Sequence, residues 1–318
     1  MKAANKEPAV LHSIGDLAAL PGPLFLAIGV FDGVHLGHRA VIERALSDAQ
    51  QAGGTAVAVT FDPHPIRLLR PDQAPRLLTS TPHKIRLIHA LGVQQLLVIS
   101  FDRAFADTPP DEFIRQLAAA AQPLREICVG FEWSFGKNRA GNLALLDRLG
   151  HELGFEEVGV PAVQMDGEVI SSTLIRRAVE NGDLAAAARF LGREYTILGT
   201  VTKGAQLGRT IGFPTANLSA HNEQFPPNGV YAVEVAHGSQ TLLGVANIGV
   251  RPTIANASGE RVFEVHLFDV DEDLYGQDLE VSFRRFLRPE QKFPNLDALR
   301  AQIAMDAIQA RSVFSESQ

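Results

Sequence analysis

Cysteine is almost absent from this chain of 318 residues. The single thiol, Cys128, excludes an internal disulfide and any zinc or iron–sulfur site built from several cysteines. That usage suits a reducing, cytoplasmic setting. Basic residues are in the minority, 29 against 36 acidic ones, and the formal charge of −7 argues against a broad electropositive surface for nucleic acid or anionic lipid. Local basic pockets for small anions stay open. A secretory layout is missing, because Lys6, Glu7 and Asp16 interrupt the first 20 residues. No run is long enough to span a membrane: the longest uncharged apolar stretch, 17–31, is broken by Pro21, Gly22 and Pro23 and falls short of the ~20 residues required. Neither a G-x-G-x-x-G fingerprint nor a Walker A loop occurs, which disfavours a dinucleotide-binding dehydrogenase and a P-loop ATPase. Repeats, low-complexity tracts and coiled-coil heptads are also lacking, so nothing in the sequence fixes an oligomeric state.

What remains is an ordinary globular composition, 46% hydrophobic and 20% charged with 18 phenylalanines. The length is about twice a prior of roughly 150 residues per domain, which makes two domains the default. In the first half, short and continuously apolar runs at 24–30, 55–61, 95–100, 126–130 and 156–160 alternate with helical stretches at 37–52, 81–91, 110–121 and 142–153. This rhythm predicts an α/β domain, a parallel sheet with helices on both faces, whose ligands sit beyond the carboxyl ends of the strands. Residues 173–191 read as helix. From Tyr195 onward Gly and Pro punctuate runs rich in Val, Thr and Phe at 197–202, 229–236, 241–248, 261–269 and 279–286, with a hairpin at His237-Gly-Ser239. Strands without intervening helices favour an antiparallel barrel or sandwich. A last helix over 295–311 puts Leu296, Leu299, Ile303, Ala307 and Ala310 on one face, which should pack on the barrel. The boundary falls near 186–192, giving domains 1–187 and 188–318.

The strongest local signal is Gly29-Val-Phe-Asp-Gly-Val-His-Leu-Gly-His38, which follows the first strand and opens the first helix. Gly29, Gly33 and Gly37 permit close backbone approach, and the helix start offers free N–H groups and partial positive charge to a nucleotide's phosphates. His35 and His38, three apart, can face one anion together and stabilise charge developing on a pentavalent phosphorus and its leaving pyrophosphate. Two plainer accounts stand beside this: a pair of metal ligands lacking a third, and two separate packing histidines.

The stretch resembles the H-x-G-H motif of the nucleotidyltransferase superfamily and, in particular, the bacterial bifunctional riboflavin kinase/FAD synthetases. Further matches follow in order: Thr60-Phe-Asp-Pro-His-Pro65, Phe135-Gly136 and Arg139 within 130–141, and Ile170-Ser-Ser-Thr-Leu-Ile-Arg176. The resemblance implies a Rossmann-like nucleotidyltransferase domain that adenylylates FMN to FAD with ATP. It places Gly29, Phe31, Asp32 and Gly33 at the nucleotide, His35 and His38 in catalysis, and Ser172, Thr173 and Arg176 on the phosphates from a second helix start. Two hydroxyls and a guanidinium at a helix N-terminus suit phosphate oxygens, although a Ser/Thr pair there is also an ordinary cap. The chain departs from the family at two positions. Asn142 stands where many members have Asp, and Glu132 where Asp is commoner. Those departures leave room for a kinase with a decayed adenylylation site, or for a non-catalytic flavin or nucleotide sensor.

In the second half the densest run is Gly199-Thr-Val-Thr-Lys-Gly204 followed by Gly208-Arg-Thr-Ile-Gly-Phe-Pro-Thr-Ala-Asn217. Gly204, Gly208 and Gly212 allow a tight loop around phosphates, with Lys203 and Arg209 beside it, and Thr215 and Asn217 offer neutral oxygens to Mg²⁺. A barrel turn would account for the same glycines. The Pro-Thr-Ala-Asn run resembles the riboflavin kinase signature. Asn228-Gly-Val-Tyr-Ala232, Asn247-Ile-Gly-Val-Arg-Pro-Thr253, Glu264-Val-His266, Asp273-Leu-Tyr-Gly276 and Phe286-Leu-Arg288 continue in the family's order. The resemblance implies a smaller antiparallel β-barrel with a C-terminal helix, phosphorylating riboflavin to FMN with ATP. In it Thr215 and Asn217 organise Mg²⁺ and ATP, and Glu264 is the base. Glu264 and His266, two apart on the strand 261–269, share one face while Phe263, Val265 and Leu267 take the other. An exposed strand carboxylate is the plainer account of Glu264. Flavin contacts are expected from Phe61, Phe135, Arg139 and Asn142 in the first domain and Arg288 in the second. The partners are thus small-molecule flavins and nucleotides.

Overall fold

In the computed structural model, which describes residues 9–203, 212–251, 260–270 and 272–315, the apolar runs of the first half become strands of one parallel sheet. The chain divides into two compact units, Met1–Arg76 with Thr81–Ser172 and Leu77–Ser80 with Thr173–Gln318. In the first unit the strands are β1 (Ala9–Leu11), β2 (Leu24–Ile28), β3 (Thr55–Asp62), β4 (Gln95–Ser100), β5 (Leu124–Gly130) and β6 (Glu156–Val160). Their order is β1-β4-β3-β2-β5-β6, every pair parallel. Between them lie helices α1 (Leu36–Ala52), α2 (Pro65–Leu69), α3 (Thr81–Ala90), α4 (Arg103–Ala106), α5 (Pro110–Ala120) and α6 (Leu143–Leu153), and a small hairpin, β7 (Gln164–Met165) and β8 (Glu168–Val169), follows β6.

The central strands are largely apolar because both sheet faces are covered. Successive side chains of a strand point to opposite faces, so Leu24, Leu26 and Ile28 enter one core with Phe113, Leu117, Leu146 and Leu149 from α5 and α6. Phe25 and Ala27 enter the other with Val41, Ile42 and Ala45 of α1 and Ile88 of α3. Fully burying one such side chain contributes roughly 1.5–3 kcal/mol. From β2 the chain winds outward through β3 and β4 on one side, whereas β5 and β6 lie on the other. Beyond the carboxyl ends of β2 and β5 there is consequently a topological switch point, the usual place for a ligand in such sheets. β1 was not expected; three residues carry too little pattern to be read.

The second unit starts with two helices, α7 (Ser172–Glu180, whose first residue is counted with the first unit) and α8 (Leu184–Leu191). A single helix over 173–191 is expected from the alanine run, but the chain breaks at Asn181-Gly182-Asp183. Gly182 takes φ +77°, and the Asp183 carboxylate accepts the Ala186 N–H at 2.9 Å to start α8. A glycine stop followed by an aspartate cap outweighs helix propensity here.

Strands β9 (Thr196–Thr202), β10 (Ala216–Ala220), β11 (Gly229–His237), β12 (Gln240–Arg251), β13 (Glu260–Leu267) and β14 (Asp278–Arg288) close into an antiparallel barrel in the order β10-β13-β12-β11-β14-β9. The expected hairpin joins β11 to β12 through Gly238 and Ser239, with Gly238 at φ +58°. β10 lies inside what reads as a phosphate loop; its polar residues make sense as a strand only because β9 and β13 lie on either side of it. The last helix, α9 (Leu296–Ser315), begins where the Asn295 side chain accepts the Ala298 N–H at 2.8 Å. Ala307, Ala310, Val313 and Phe314 pack on Val230, Ala232, Val245 and Phe268 of the barrel wall. Leu296, assigned to the same face, is 53% exposed, because the contact is made by the later turns of α9. Arg288 forks onto Asp306 of α9 at 2.8 and 2.7 Å, and the Asp306 side chain is almost fully buried.

Beside α1 the first unit holds a small polar network, buried at Glu126 and Cys128. The Cys128 thiol donates to Glu126 at 2.8 Å, and Arg44 of α1 pairs with Asp48. Burial first, then the hydrogen bond to Glu126, pushes the Cys128 thiol far above the usual thiol range, and burial also raises the Glu126 carboxyl. The unfolded chain ionises this thiol near pH 8.5 and the folded chain does not. Stability from Cys128 is therefore intact below that pH and lost above it, by about 1.4 kcal/mol per pH unit. Urea denaturation of the wild type and of Cys128→Ala between pH 9 and 10.5 is expected to show the smaller alkaline loss in the variant.

Candidate active sites

In the first unit the chain leaves β2 through a turn closed by the Val34 N–H on the Phe31 carbonyl at 3.2 Å. Phe31 and Val34 have φ of 52° and 41°, and Gly33 has φ 86°. Left-handed backbone at two non-glycine residues costs about 1–3 kcal/mol each. Burial offsets it: Phe31 and Val34 are 1% and 2% exposed in the α1 core. A Cβ at Gly29 would fall 2.5 Å from the Phe31 ring, so this glycine makes room for the turn's own anchor. Ser172 donates to the Asp32 carbonyl at 2.9 Å, tying the first residue of α7 to the turn.

His35 caps α1. Its Nδ1 accepts the His38 N–H at 3.3 Å, so in the neutral ring the proton resides on Nε2. The two imidazoles stack with centroids 3.5 Å apart and planes at 20°, and Phe31 meets His38 edge-on at 5.4 Å. The pair read from sequence is thus brought together at a helix N-terminus, beside the switch point. Gly37 supports the cap, since a Cβ there would crowd the His35 ring at 3.2 Å. Thr173 and Arg176 continue α7 after Ser172, and Arg176, four residues on, shares its helix face.

One residue of this region escaped the sequence. Lys84, in the first turns of α3, is 4% exposed, and its ammonium donates to Thr60 at 3.2 Å. Burial lowers its pKa to about 8 against the opposing pull of Asp32 and Asp62. Nothing in the pattern of 81–91 sets it apart from the other polar residues of that helix.

The loop after β5 is closed by a bridge between Phe135 and Gly141. Trp133 stacks on Phe135 at 4.1 Å and 14°, and Phe135 ends an aromatic chain running through Phe113 and Phe105 to Phe61. Phe61 and Phe135 are 7% and 6% exposed, so they form the wall behind this region, not its open surface. Arg139 is exposed and donates to Ser134 at 2.8 Å. Asn142 caps α6, accepting the Leu145 N–H at 3.0 Å. An aspartate would accept the same bond, so the departure from the family leaves the cap intact. Nearby, Phe131, Leu143, Ala144, Asp147, Glu157 and Gly159 line an open cavity of about 350 Å³.

In the barrel, Phe263, Val265 and Leu267 point inward and are buried, while Glu264 and His266 lie half-buried on the outer face, as the alternation predicts. Register adds what the sequence did not give. Glu264 is directly opposite Asn217 of β10 on one side and Asn247 of β12 on the other. Three polar side chains therefore form a row across neighbouring strands about 4.8 Å apart. Asn247 was quoted only as part of a motif, without a role. His266 donates from Nδ1 to the Pro214 carbonyl at 2.8 Å and lies edge-on to Phe213 and Phe268, so it holds the Pro-Thr-Ala-Asn run. Lys203 places its ammonium 5.9 Å from the Tyr275 ring, and Gly212 takes φ 86°. Gly204, Gly208 and Arg209 lie outside the described residues. The guanidinium of Arg288 is engaged by Asp306 and by the Pro289 carbonyl.

The Thr215 hydroxyl and the Asn217 amide oxygen are hard, neutral oxygen donors and fit Mg²⁺. Among the described residues one other group of potential ligands gathers, Asp48, Glu126 and Cys128, but its thiol is protonated and already donates to Glu126. No helix among the described residues is long and apolar enough to cross a membrane.

Comparison with known proteins matches each half of the chain to a family. The FAD synthetase family model matches residues 18–174 and the riboflavin kinase model residues 191–314. A bifunctional riboflavin kinase/FMN adenylyltransferase from Escherichia coli is 41% identical over 91% of this chain and 92% of its own. One of the same description from Bacillus subtilis is 38% identical over 91% and 92%. A crystal structure described as a macrolide-efflux protein from Streptococcus pneumoniae superposes with a TM-score of 0.77 at 28% identity, over 95% of this chain and 97% of that one. With two family models in tandem and relatives matched over nearly their full length, the chain belongs to the bifunctional riboflavin kinase/FMN adenylyltransferase family.

Proposed function

We propose that the chain divides two consecutive reactions between residues 188–318 and residues 1–187. The barrel phosphorylates riboflavin to FMN with ATP, and the α/β domain adenylylates FMN with a second ATP, giving FAD and pyrophosphate. The setting is the cytoplasm, consistent with the single cysteine.

The stacked His35–His38 pair at the N-terminus of α1 carries the adenylylation reading. A phosphate oxygen of FMN attacks the α-phosphorus of ATP, and the bond to pyrophosphate breaks with its electron pair leaving on pyrophosphate. Imidazole N–H groups and the α1 amides stabilise the charge that accumulates, with no covalent intermediate needed. Gly29, Phe31, Asp32 and Gly33 contribute the backbone of the cradle, Phe31 through its main chain only, since its ring is buried. Ser172, tied to the Asp32 carbonyl, adds its hydroxyl at the phosphates. Phe61 and Phe135 back a flavin slot whose open edge carries Arg139 and Asn142. Asn142 retains its capping bond, so the start of α6 beside this slot is preserved.

The Asn217–Glu264–Asn247 row carries the kinase reading. Glu264 takes the proton of the riboflavin 5′-hydroxyl as that oxygen attacks the γ-phosphorus and ADP departs. Thr215 and Asn217 would hold Mg²⁺, which supplies charge neutralisation on the β- and γ-phosphates when bound. Lys203 and Gly212 lie beside the phosphates, and Arg288, fixed by Asp306, bounds the flavin side.

Incubating the protein with riboflavin, Mg²⁺ and ATP and separating flavins by chromatography is expected to yield FMN and then FAD. Replacing His35 and His38 by Ala should lower FAD formation by about 10²-fold or more while FMN formation stays within about twofold. Glu264→Gln should reverse the pattern, cutting FMN formation roughly 10²- to 10⁴-fold and sparing FAD made from supplied FMN. His266→Ala, which releases the Pro214 carbonyl, is expected to slow FMN formation by roughly tenfold to a hundredfold, because small misplacements of a reacting group carry that cost. Loss of both activities in any of these variants would indicate misfolding.

A further inference from the structure

Resting on the adenylylation reading, we infer that Lys84 is a positioning residue for that reaction: its buried ammonium braces, through Thr60, the turn that presents His35 and His38. Thr60 is fully buried at the end of β3. Lys84 Nζ donates to its Oγ1 at 3.2 Å, and that hydroxyl in turn donates to the Val30 carbonyl at 3.0 Å. Val30 immediately precedes Phe31, the first of the two left-handed non-glycine residues. A two-bond relay from α3 therefore ends on the peptide that enters the strained turn.

The choice of a lysine here needs a reason beyond packing. A methionine of similar length would fill the space without the cost of burying a cation. The charged groups facing Nζ are Asp32, from the turn itself, and Asp62, from the end of β3. His83 is the buried titratable neighbour on the same helix, and His35 and His38 lie further along the turn. Asp32 is 2% exposed, so the cation also offsets a carboxylate beside the expected path of an anionic nucleotide. Lys84 is held against Thr60 at the end of β3. Its contribution passes through Thr60, Val30 and Asp32 to the imidazoles.

Because the brace depends on charge, it weakens as the ammonium loses its proton. Adenylylation should therefore fall as pH rises through about 8, whereas riboflavin phosphorylation by the same molecule has no such dependence on Lys84. The test measures FAD formation from supplied FMN between pH 6.5 and 9.5 in the wild-type full chain, Lys84→Met and Lys84→Arg, with FMN formation as the control for folding. In the wild type kcat is expected to decline above pH 8. Lys84→Met should show a kcat about 10²-fold lower with no decline, a KM for FMN within about threefold of wild type, and unchanged FMN formation. Lys84→Arg, charged throughout this range, should recover part of kcat and carry no limb near pH 8. A flat wild-type profile, a limb that persists in either variant, or wild-type kcat in Lys84→Met overturns the inference. If Lys84→Met fails to fold, the wild-type and Lys84→Arg profiles decide by the same criteria. Absence of FAD formation by the wild type at every pH is a distinct result, which overturns the adenylylation reading and this inference with it.

Discussion

Left-handed backbone at Phe31 and Val34 is the constraint on which the first unit's chemistry depends. Neither residue favours that conformation, and both adopt it because their side chains are locked in the core under α1. Anchoring the turn from below lets it rise from the end of β2 and deliver His35 to the cap position of α1. From there the rest follows by geometry. The capping bond fixes the His35 tautomer, the helical rise brings His38 over it, and the helix start adds its own N–H groups. Hydrophobic burial is thus converted into a preorganised array of donors.

The barrel achieves a comparable end by register. Its interior is apolar on every second residue, so the intervening residues are outside, and cross-strand pairing determines which of these meet. Closure of the barrel through β10 places Asn217 beside Glu264, and pairing with β12 places Asn247 on the other side. His266, one pleat further along the same face, fastens the run leading into β10. The carboxylate and the amides gain their proximity from backbone hydrogen bonds between strands far apart in sequence, which makes the arrangement rigid.

Several residues chosen for binding turn out to have structural partners as well. Asn142 caps α6, Arg288 grips Asp306, and Phe61 and Phe135 belong to a buried aromatic chain. These roles are compatible with shaping a site: a capped helix, a fixed guanidinium and a rigid wall all reduce the ordering that a ligand must induce.

The sequence by itself determined the parallel sheet, the barrel, the hairpin at Gly238, the histidine pair and the outward face of Glu264, because each is encoded in local periodicity or in residues a few positions apart. Tertiary structure alone decided the rest. β10 is a strand only because two neighbours accept it, and the break between α7 and α8 turned on a cap that competes with helix propensity. Leu296 is exposed because the early turns of α9 run clear of the barrel. Lys84, an ordinary helix residue by pattern, becomes a buried cation because α3 packs it against Thr60 and toward Asp32. Burial and cross-strand neighbours are properties of the packed chain, and no window of sequence contains them.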